Sequence, residues 1–312
     1  MDLFRKIPAT LSLIIINIIA FVVTYVVIGT FDEPQWTTGL LAMGAQFNPL
    51  TLDKEWYRLF THMFLHGHIP HLLVNMYGLY SVGSWIEASV GTKKFLWVYF
   101  VSGIAAGLSS LYFSLFTIGV GASGAIFGIF GFALIVSIFL SRREGKSLTP
   151  ILTNFAIFLG INLLLAKAVN ADNAAHFGGL AAGIMIGLYS MITGFPFIRV
   201  RVEYLMLSVL IVIYFLLPRF QVSYYKFFQK ILDTEASTQE QFSKRLPDEE
   251  YVALFRNNIL AWDTALTMLN AHKYLPPELG PDTIIGKRNI ALLKQDKIFR
   301  LTIVDGELHI YR

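Results

Sequence analysis

Ser123 lies in Gly121-Ala122-Ser123-Gly124-Ala125-Ile126-Phe127-Gly128, at the opening of an apolar run that reaches Leu140. A serine hydroxyl becomes a useful nucleophile only when a neighbouring base takes its proton. Attack on a carbonyl also needs donors for the oxyanion that forms. The candidate base is His176, in Asp172-Asn173-Ala174-Ala175-His176-Phe177-Gly178-Gly179, because imidazole titrates near neutrality and can exchange that proton. His71 and Asn75 are four residues apart, share one helix face and can both donate to an oxyanion. Ser123 is expected at a helix N-terminus, where backbone N–H groups lack intrahelical partners and the dipole favours developing negative charge.

The same residues admit plainer readings. Serine and glycine pack helices closely in a membrane, and an intramembrane histidine or asparagine can simply hold two helices together. His62, His66 and His68 crowd the same region as His71, and four histidines raise a zinc reading. The metalloprotease pattern His-Glu-x-x-His is absent, so no metal and no other cofactor is expected. Glu87 reads as a packing cap or the partner of a loop cation, not as a reactant.

These residues need elements to hold them, and composition says which. Of 312 residues, 55% are hydrophobic and only 15% charged, well below the roughly 25% charge of soluble domains. Several apolar runs approach the roughly 20 residues that span a bilayer. The class is an all-α polytopic membrane protein. There is no cysteine, which excludes disulfides and thiol catalysis. The net charge of +4 is read as loop bias, not nucleic-acid binding, since no basic run is long enough.

Six spans are expected: Leu11 to Ile28, His71 to Ile86, Phe95 to Phe116, Ser123 to Leu140, Ile151 to Leu165 and Ala174 to Ile192. Tyr204 to Leu217 reads as a short seventh. In the sixth, Gly179, Gly183 and Gly187 recur every four residues, a stripe that lets a neighbouring backbone approach. Gly29 to Ile69 is too interrupted to span and suits the interface, where tryptophan is favoured. The N-terminal run has no small-residue cleavage site behind it and reads as a retained anchor.

Basic residues set the orientation. Arg5, Lys6, Lys93, Lys94, Arg142, Arg143, Lys146, Arg199 and Arg201 fall on one face if the N-terminus is cytoplasmic. Ser123, His176 and His71 then all begin helices near the outer face, at one depth. From Phe220 the composition turns soluble. Glu249 to Ala271 reads as an amphipathic helix, and Phe299 to Tyr311 as a hairpin turning at Asp305-Gly306. The expected division is 1–200 for the six-helix core, 201–219 for the seventh helix and 220–312 for a small soluble α+β tail.

The order and separation of several short pieces resemble the rhomboid family of intramembrane serine proteases. The pieces are Glu55-Trp56-Tyr57-Arg58, Thr61-His62-Met63-Phe64-Leu65-His66, His71-Leu72-Leu73-Val74-Asn75-Met76, Gly121-Ala122-Ser123-Gly124 and Ala175-His176-Phe177-Gly178-Gly179-Leu180-Ala181-Ala182-Gly183. The resemblance covers roughly Leu11 to Gly194. It implies a six-helix rhomboid-like core, to which some members add a seventh helix. It implies a Ser123–His176 dyad without an acidic third member. It implies an oxyanion and substrate-binding set of His71, Asn75, the Ser123 backbone N–H and Gly121. Structural roles fall to Arg58, Glu87, Gly179 and Gly183, with Arg58 stabilising a membrane-embedded hairpin in the first loop. Tyr57 stands where that motif usually has tryptophan. The implied activity is cleavage of transmembrane segments near the outer face, with the fifth helix as the lateral gate.

The implied partners are transmembrane protein substrates and membrane lipid, with no nucleic acid. A Ser–His pair lacking an orienting acid is expected to be slow. The competing readings are a catalytically inactive rhomboid-like protein that binds membrane clients, and a small transporter or channel. Against the channel, the polar groups gather at one depth instead of lining a route across. The default location is a bacterial cytoplasmic membrane.

Overall fold

Long apolar runs become helices in this chain because a helix satisfies every backbone N–H and C=O internally, which lipid cannot do for them. The computed structural model describes residues 6–32, 35–114, 117–168, 172–192, 209–217, 222, 226, 301–304 and 307–310. It divides into two units, Met1–Pro218 and Arg219–Arg312.

In the first unit, α1 (Pro8–Ile28) is followed by a first loop built from α2 (Gln35–Ala42), β1 (Gln46–Phe47), α3 (Asn48–Leu52), α4 (Arg58–Thr61) and a 3-10 turn, His62–Phe64. Then come α5 (Ile69–Gly78), a π-helical turn at Leu79–Gly83, α6 (Ser84–Val90), α7 (Thr92–Phe113) and β2 (Ile118–Gly119). Helices α8 (Ser123–Arg143), α9 (Thr149–Ala168) and α10 (Asn173–Ile192) complete the series. Helices α1, α7, α8 and α10 are each long and apolar enough to cross a membrane. The chain is an integral, multi-pass membrane protein with a polytopic helical fold.

The six stretches expected as spans fall on α1, α5 with α6, α7, α8, α9 and α10, of which α1, α7, α8 and α10 are the ones long and apolar enough to cross among the described residues. The second is longer than expected and passes through a wider π turn at Leu79–Gly83. The stretch expected as an interrupted loop holds four short helical pieces, none long enough to cross. Of the expected seventh span only 209–217 is described, helical through 216. There Tyr214 donates its hydroxyl to the Thr51 carbonyl at 2.8 Å.

Helices α7, α8 and α10 form the centre, and small residues set how closely they approach. A side chain at Gly179 would collide with the carbonyl oxygen of Gly124, and one at Gly183 with that of Gly128. A side chain at Gly128 would meet Ser102 of α7. Around this contact Phe95, Tyr99, Ile129, Phe132 and Ile186 are fully buried.

Glu87, buried at 2% exposure, pairs with no loop cation among the described residues. Its oxygens accept from the backbone N–H of Ala9 at 2.9 Å and of Thr10 at 2.7 Å, and from the Thr92 hydroxyl at 2.7 Å. The first turn of α1 has unpaired N–H groups and a positive dipole end, and a carboxylate answers both. This contact also puts the start of α1 beside the first turn of α7, which carries Lys93 and Lys94.

In the second unit, β3 (Leu301–Val304) pairs antiparallel with β4 (Glu307–Ile310), Val304 opposite Glu307. The expected strands are therefore present, two residues apart. The expected helix at Glu249 to Ala271 lies outside the described residues.

Candidate active site

Ser123 is the first residue of α8, and no side chain caps that end. The preceding turn is fixed from two sides. Gly119 pairs with Gln46 across the β1–β2 ladder, and the Gly121 N–H donates to the His62 carbonyl at 2.9 Å. Gly121 has φ of +118°, a conformation glycine adopts without a steric penalty. A Cβ there would also lie 2.8 Å from two atoms of the His71 ring. The imidazole of His71 therefore rests directly against the Gly121 backbone, beside the serine turn.

His176 comes from the first turn of α10. The Gly124–Gly179 and Gly128–Gly183 approaches bring this turn against the start of α8. His176 Nε2 and Ser123 Oγ are 2.9 Å apart, within range for a proton to pass. The imidazole also stacks on Phe127, one helical turn beyond Ser123, with centroids 4.4 Å apart and planes 5° apart. Its Nδ1 is buried and finds no partner among the described residues.

Asn75, one turn after His71 on α5, is buried and donates Nδ2 to the His71 carbonyl at 2.8 Å. That leaves its second amide hydrogen for another acceptor. His68 caps α5, its Nδ1 accepting from the His71 N–H at 3.0 Å.

Ser123, His176, His71, Asn75 and Gly121 line one cavity of about 510 Å³. Asn162 of α9 lines it too, as do Phe127 and Phe130 of α8 and Phe158 of α9.

His62, which also lines the cavity, and His66 are both buried. Burial pushes His62 down to about 4, partly opposed by the charge of Asp172. Burial, with His71 close by, pushes His66 down to about 3. Both rings are thus neutral at neutral pH. Among the described residues no three His, Asp or Glu side chains gather in a way that would hold a metal ion.

The first loop is tied down by side chains bonded to backbone. Arg58, 5% exposed, donates to the carbonyls of Leu41 and Ala45 at 2.7 Å each and from Nε to Glu55 at 2.6 Å. Burial works to raise the Glu55 carboxyl, but the hydrogen bonds from Tyr57 and Arg58 outweigh it and hold it below its ordinary value. Gln46 donates to the Gly107 carbonyl at 2.9 Å, Asn48 to the carbonyls of Ser110 and Ser114, and Trp36 to that of Gly67 at 2.6 Å.

Four contributors escape a reading of the sequence by motif. Phe127 is found only by noting that it is four residues after Ser123 on the same helix face. Gln46 and Asn48 carry no sequence signal, since their partners are carbonyls of a distant helix. Asp172 is an N-cap: its Oδ1 accepts from the Ala175 N–H at 3.1 Å and from the Ser114 hydroxyl at 2.7 Å. An aspartate just before a helix start is the available signal.

A polytopic helical membrane protein with a serine hydroxyl and an imidazole in contact at the ends of two crossing helices is the class defined here. Residues 53–193 match the Rhomboid domain family. The chain is 30% identical over 208 residues to rhomboid protease AarA of Providencia stuartii, covering 58% of this chain and 72% of that protein. It is 43% identical over 148 residues to rhomboid protease GluP of Bacillus subtilis, covering 47% of this chain but only 28% of that protein. It is 31% identical over 209 residues to RHOMBOID-like protein 6, mitochondrial, of Arabidopsis thaliana, covering 57% of this chain and 67% of the relative. The chain belongs to the rhomboid family.

Proposed function

We propose that this protein is an intramembrane serine endopeptidase that cuts transmembrane segments of other proteins near the outer membrane face. The observation that carries the reading is the 2.9 Å contact between Ser123 Oγ and His176 Nε2 inside a cavity lined by donors. Two relatives that are named rhomboid proteases support it.

In the proposed reaction Ser123 Oγ attacks the scissile carbonyl carbon while His176 Nε2 takes the hydroxyl proton. The negative charge moves to the carbonyl oxygen. The His71 ring, the free amide hydrogen of Asn75 and the Ser123 backbone N–H are the donors for it. Collapse breaks the C–N bond, and His176 returns its proton to the leaving amine. Water, activated by the same imidazole, then frees the acyl group from Ser123.

A peptide bond in a membrane helix has its carbonyl engaged internally, so the segment must unwind to present it. The aromatic side of the cavity, with Phe130 and Phe158, offers apolar surface to the unwound chain, and the polar side offers donors. Residues 1–200 are taken as the protease core, 201–219 as a seventh helix and 220–312 as a separate soluble domain. The Tyr214–Thr51 hydrogen bond supports a seventh helix against the core. The membrane is taken to be a bacterial cytoplasmic one.

Cleavage of a transmembrane reporter in liposomes tests the reading. Wild type should cut it, while S123A and H176A should each lose at least ~1,000-fold in rate, as removal of one member of a nucleophile–base unit does. Reporter binding without cleavage by wild type would overturn the enzyme reading in favour of a client-binding protein.

A further inference from the structure

Asp172 is the one carboxylate among the described residues that line the cavity. Its two oxygens are used differently. Oδ1 caps α10 through the Ala175 N–H and holds the Ser114 hydroxyl at the end of α7. Oδ2 is buried and has no hydrogen-bond partner among the described residues. Among the residues that line the cavity two ring nitrogens share that condition, His176 Nδ1 and His62 Nε2. Asp172 lies four residues before His176, its carbonyl accepts from the His176 N–H at 3.2 Å, and all three residues line the cavity. Two elements, the start of α10 and the 3-10 turn at His62–Phe64, thus bring an unpaired carboxylate oxygen and two unpaired imidazole nitrogens to one cavity.

Capping needs only one acceptor oxygen, and an asparagine or serine would supply it. A full carboxylate at this place does something more. When Ser123 loses its proton to His176, a cation forms in a mostly buried ring, and such a charge is costly unless a counter-charge lies nearby. The other described groups facing His176 do not supply one. Ser123 and Phe127 face it from α8, and His71 from α5.

We propose that Asp172 is a positioning residue for the His176 base. Through Oδ1 it fixes the turn of α10 that carries the imidazole, and through the charge left on Oδ2 it stabilises the imidazolium of the reaction. The backbone carbonyl of Asp172 accepts from the His176 N–H at 3.2 Å, but among the described residues no hydrogen bond joins its carboxylate to the imidazole, so the charge acts across space. Its effect is therefore smaller than the roughly 10⁴-fold of an acid bonded to its histidine. The proposal rests on the protease reading.

The test compares wild type, D172N, D172S and S123A on a transmembrane reporter, reading kcat, KM and thermal midpoint together. Asparagine and serine both keep a capping oxygen and lose the charge. D172N and D172S should keep the wild-type KM and midpoint and lose about tenfold in kcat, the order of one weakened charge interaction in a partly buried site. Wild-type kcat in both variants would overturn the proposal, since capping alone would then suffice. Failure of both to fold would also overturn it, assigning the carboxylate to the fold. An inactive wild type would instead end the protease reading, which separates the two failures.

Discussion

The ring of Phe127 lies flat on the imidazole of His176, centroids 4.4 Å apart and planes 5° apart. Phe127 and Ser123 are one turn apart on α8, so a single helix presents both the proposed nucleophile and the surface that orients its proposed base. An aromatic pair of this kind contributes about 0.5–1.5 kcal/mol beyond burial. Replacing Phe127 by leucine keeps an apolar side chain and removes the flat face. F127L is expected to lower kcat by roughly two- to tenfold, with KM little changed, in steady-state assays on the reporter.

The approach of α8 to α10 depends on bare backbone. G183V would press two methyl groups towards the Gly128 carbonyl, where neither helix has a flexible side chain to give way. Overpacking of this kind costs typically 1–3 kcal/mol and more where backbone is hit. The measurement is the thermal midpoint in detergent, which should fall by several degrees or be replaced by aggregation. An unchanged midpoint would show that the helices can separate at little cost.

Arg58 bonds two backbone carbonyls and Glu55 at once, which a planar guanidinium can do and an ammonium cannot do with the same geometry. R58K is expected to cost about 1–3 kcal/mol, the range for leaving buried acceptors unpaired. It should also make the first loop easier to cut with an added protease. Limited proteolysis of R58K beside wild type checks this, with new cuts expected between Leu41 and Glu55.

Most of the helices were legible because hydropathy alone dictates where a backbone must satisfy itself. The Ser123, His71 and His176 placements followed from where apolar runs begin, and the Gly179 and Gly183 stripe from its spacing. The π turn at Leu79–Gly83 was not legible, since no residue there differs in kind from those of an ordinary helix. The first loop was legible only as an interruption. Its order comes from Arg58, Gln46 and Asn48 reaching carbonyls far away in sequence, and local pattern carries no record of such partners. Glu87 was expected as a packing cap or the partner of a loop cation, but its partners include the N–H groups of Ala9 and Thr10, which have no side-chain signature. The hairpin near the end was legible from Asp305-Gly306 between two alternating strands.

Stability should depend on pH through His62 and His66. Burial holds both below the ordinary 6.5, at about 4 and about 3, so between those values and 6.5 the unfolded chain binds more protons than the folded one. Stability is then full above about pH 6.5 and falls as the pH drops towards 4. The slope is at most about 1.4 kcal/mol per pH unit for each ring. Thermal midpoints taken from pH 7.5 to pH 4.5 should decline, and H62Q or H66Q should flatten the decline. A midpoint that rises on acidification would contradict the burial of these rings.

The central claim is that the Ser123 hydroxyl is activated by His176. Its most direct test is labelling of the purified protein in detergent by a fluorophosphonate probe, read by in-gel fluorescence and by mass of the labelled peptide. The account predicts one label per chain, on Ser123, absent in S123A and strongly reduced in H176A. Labelling that persists in S123A, or that is as fast in H176A as in wild type, would contradict it.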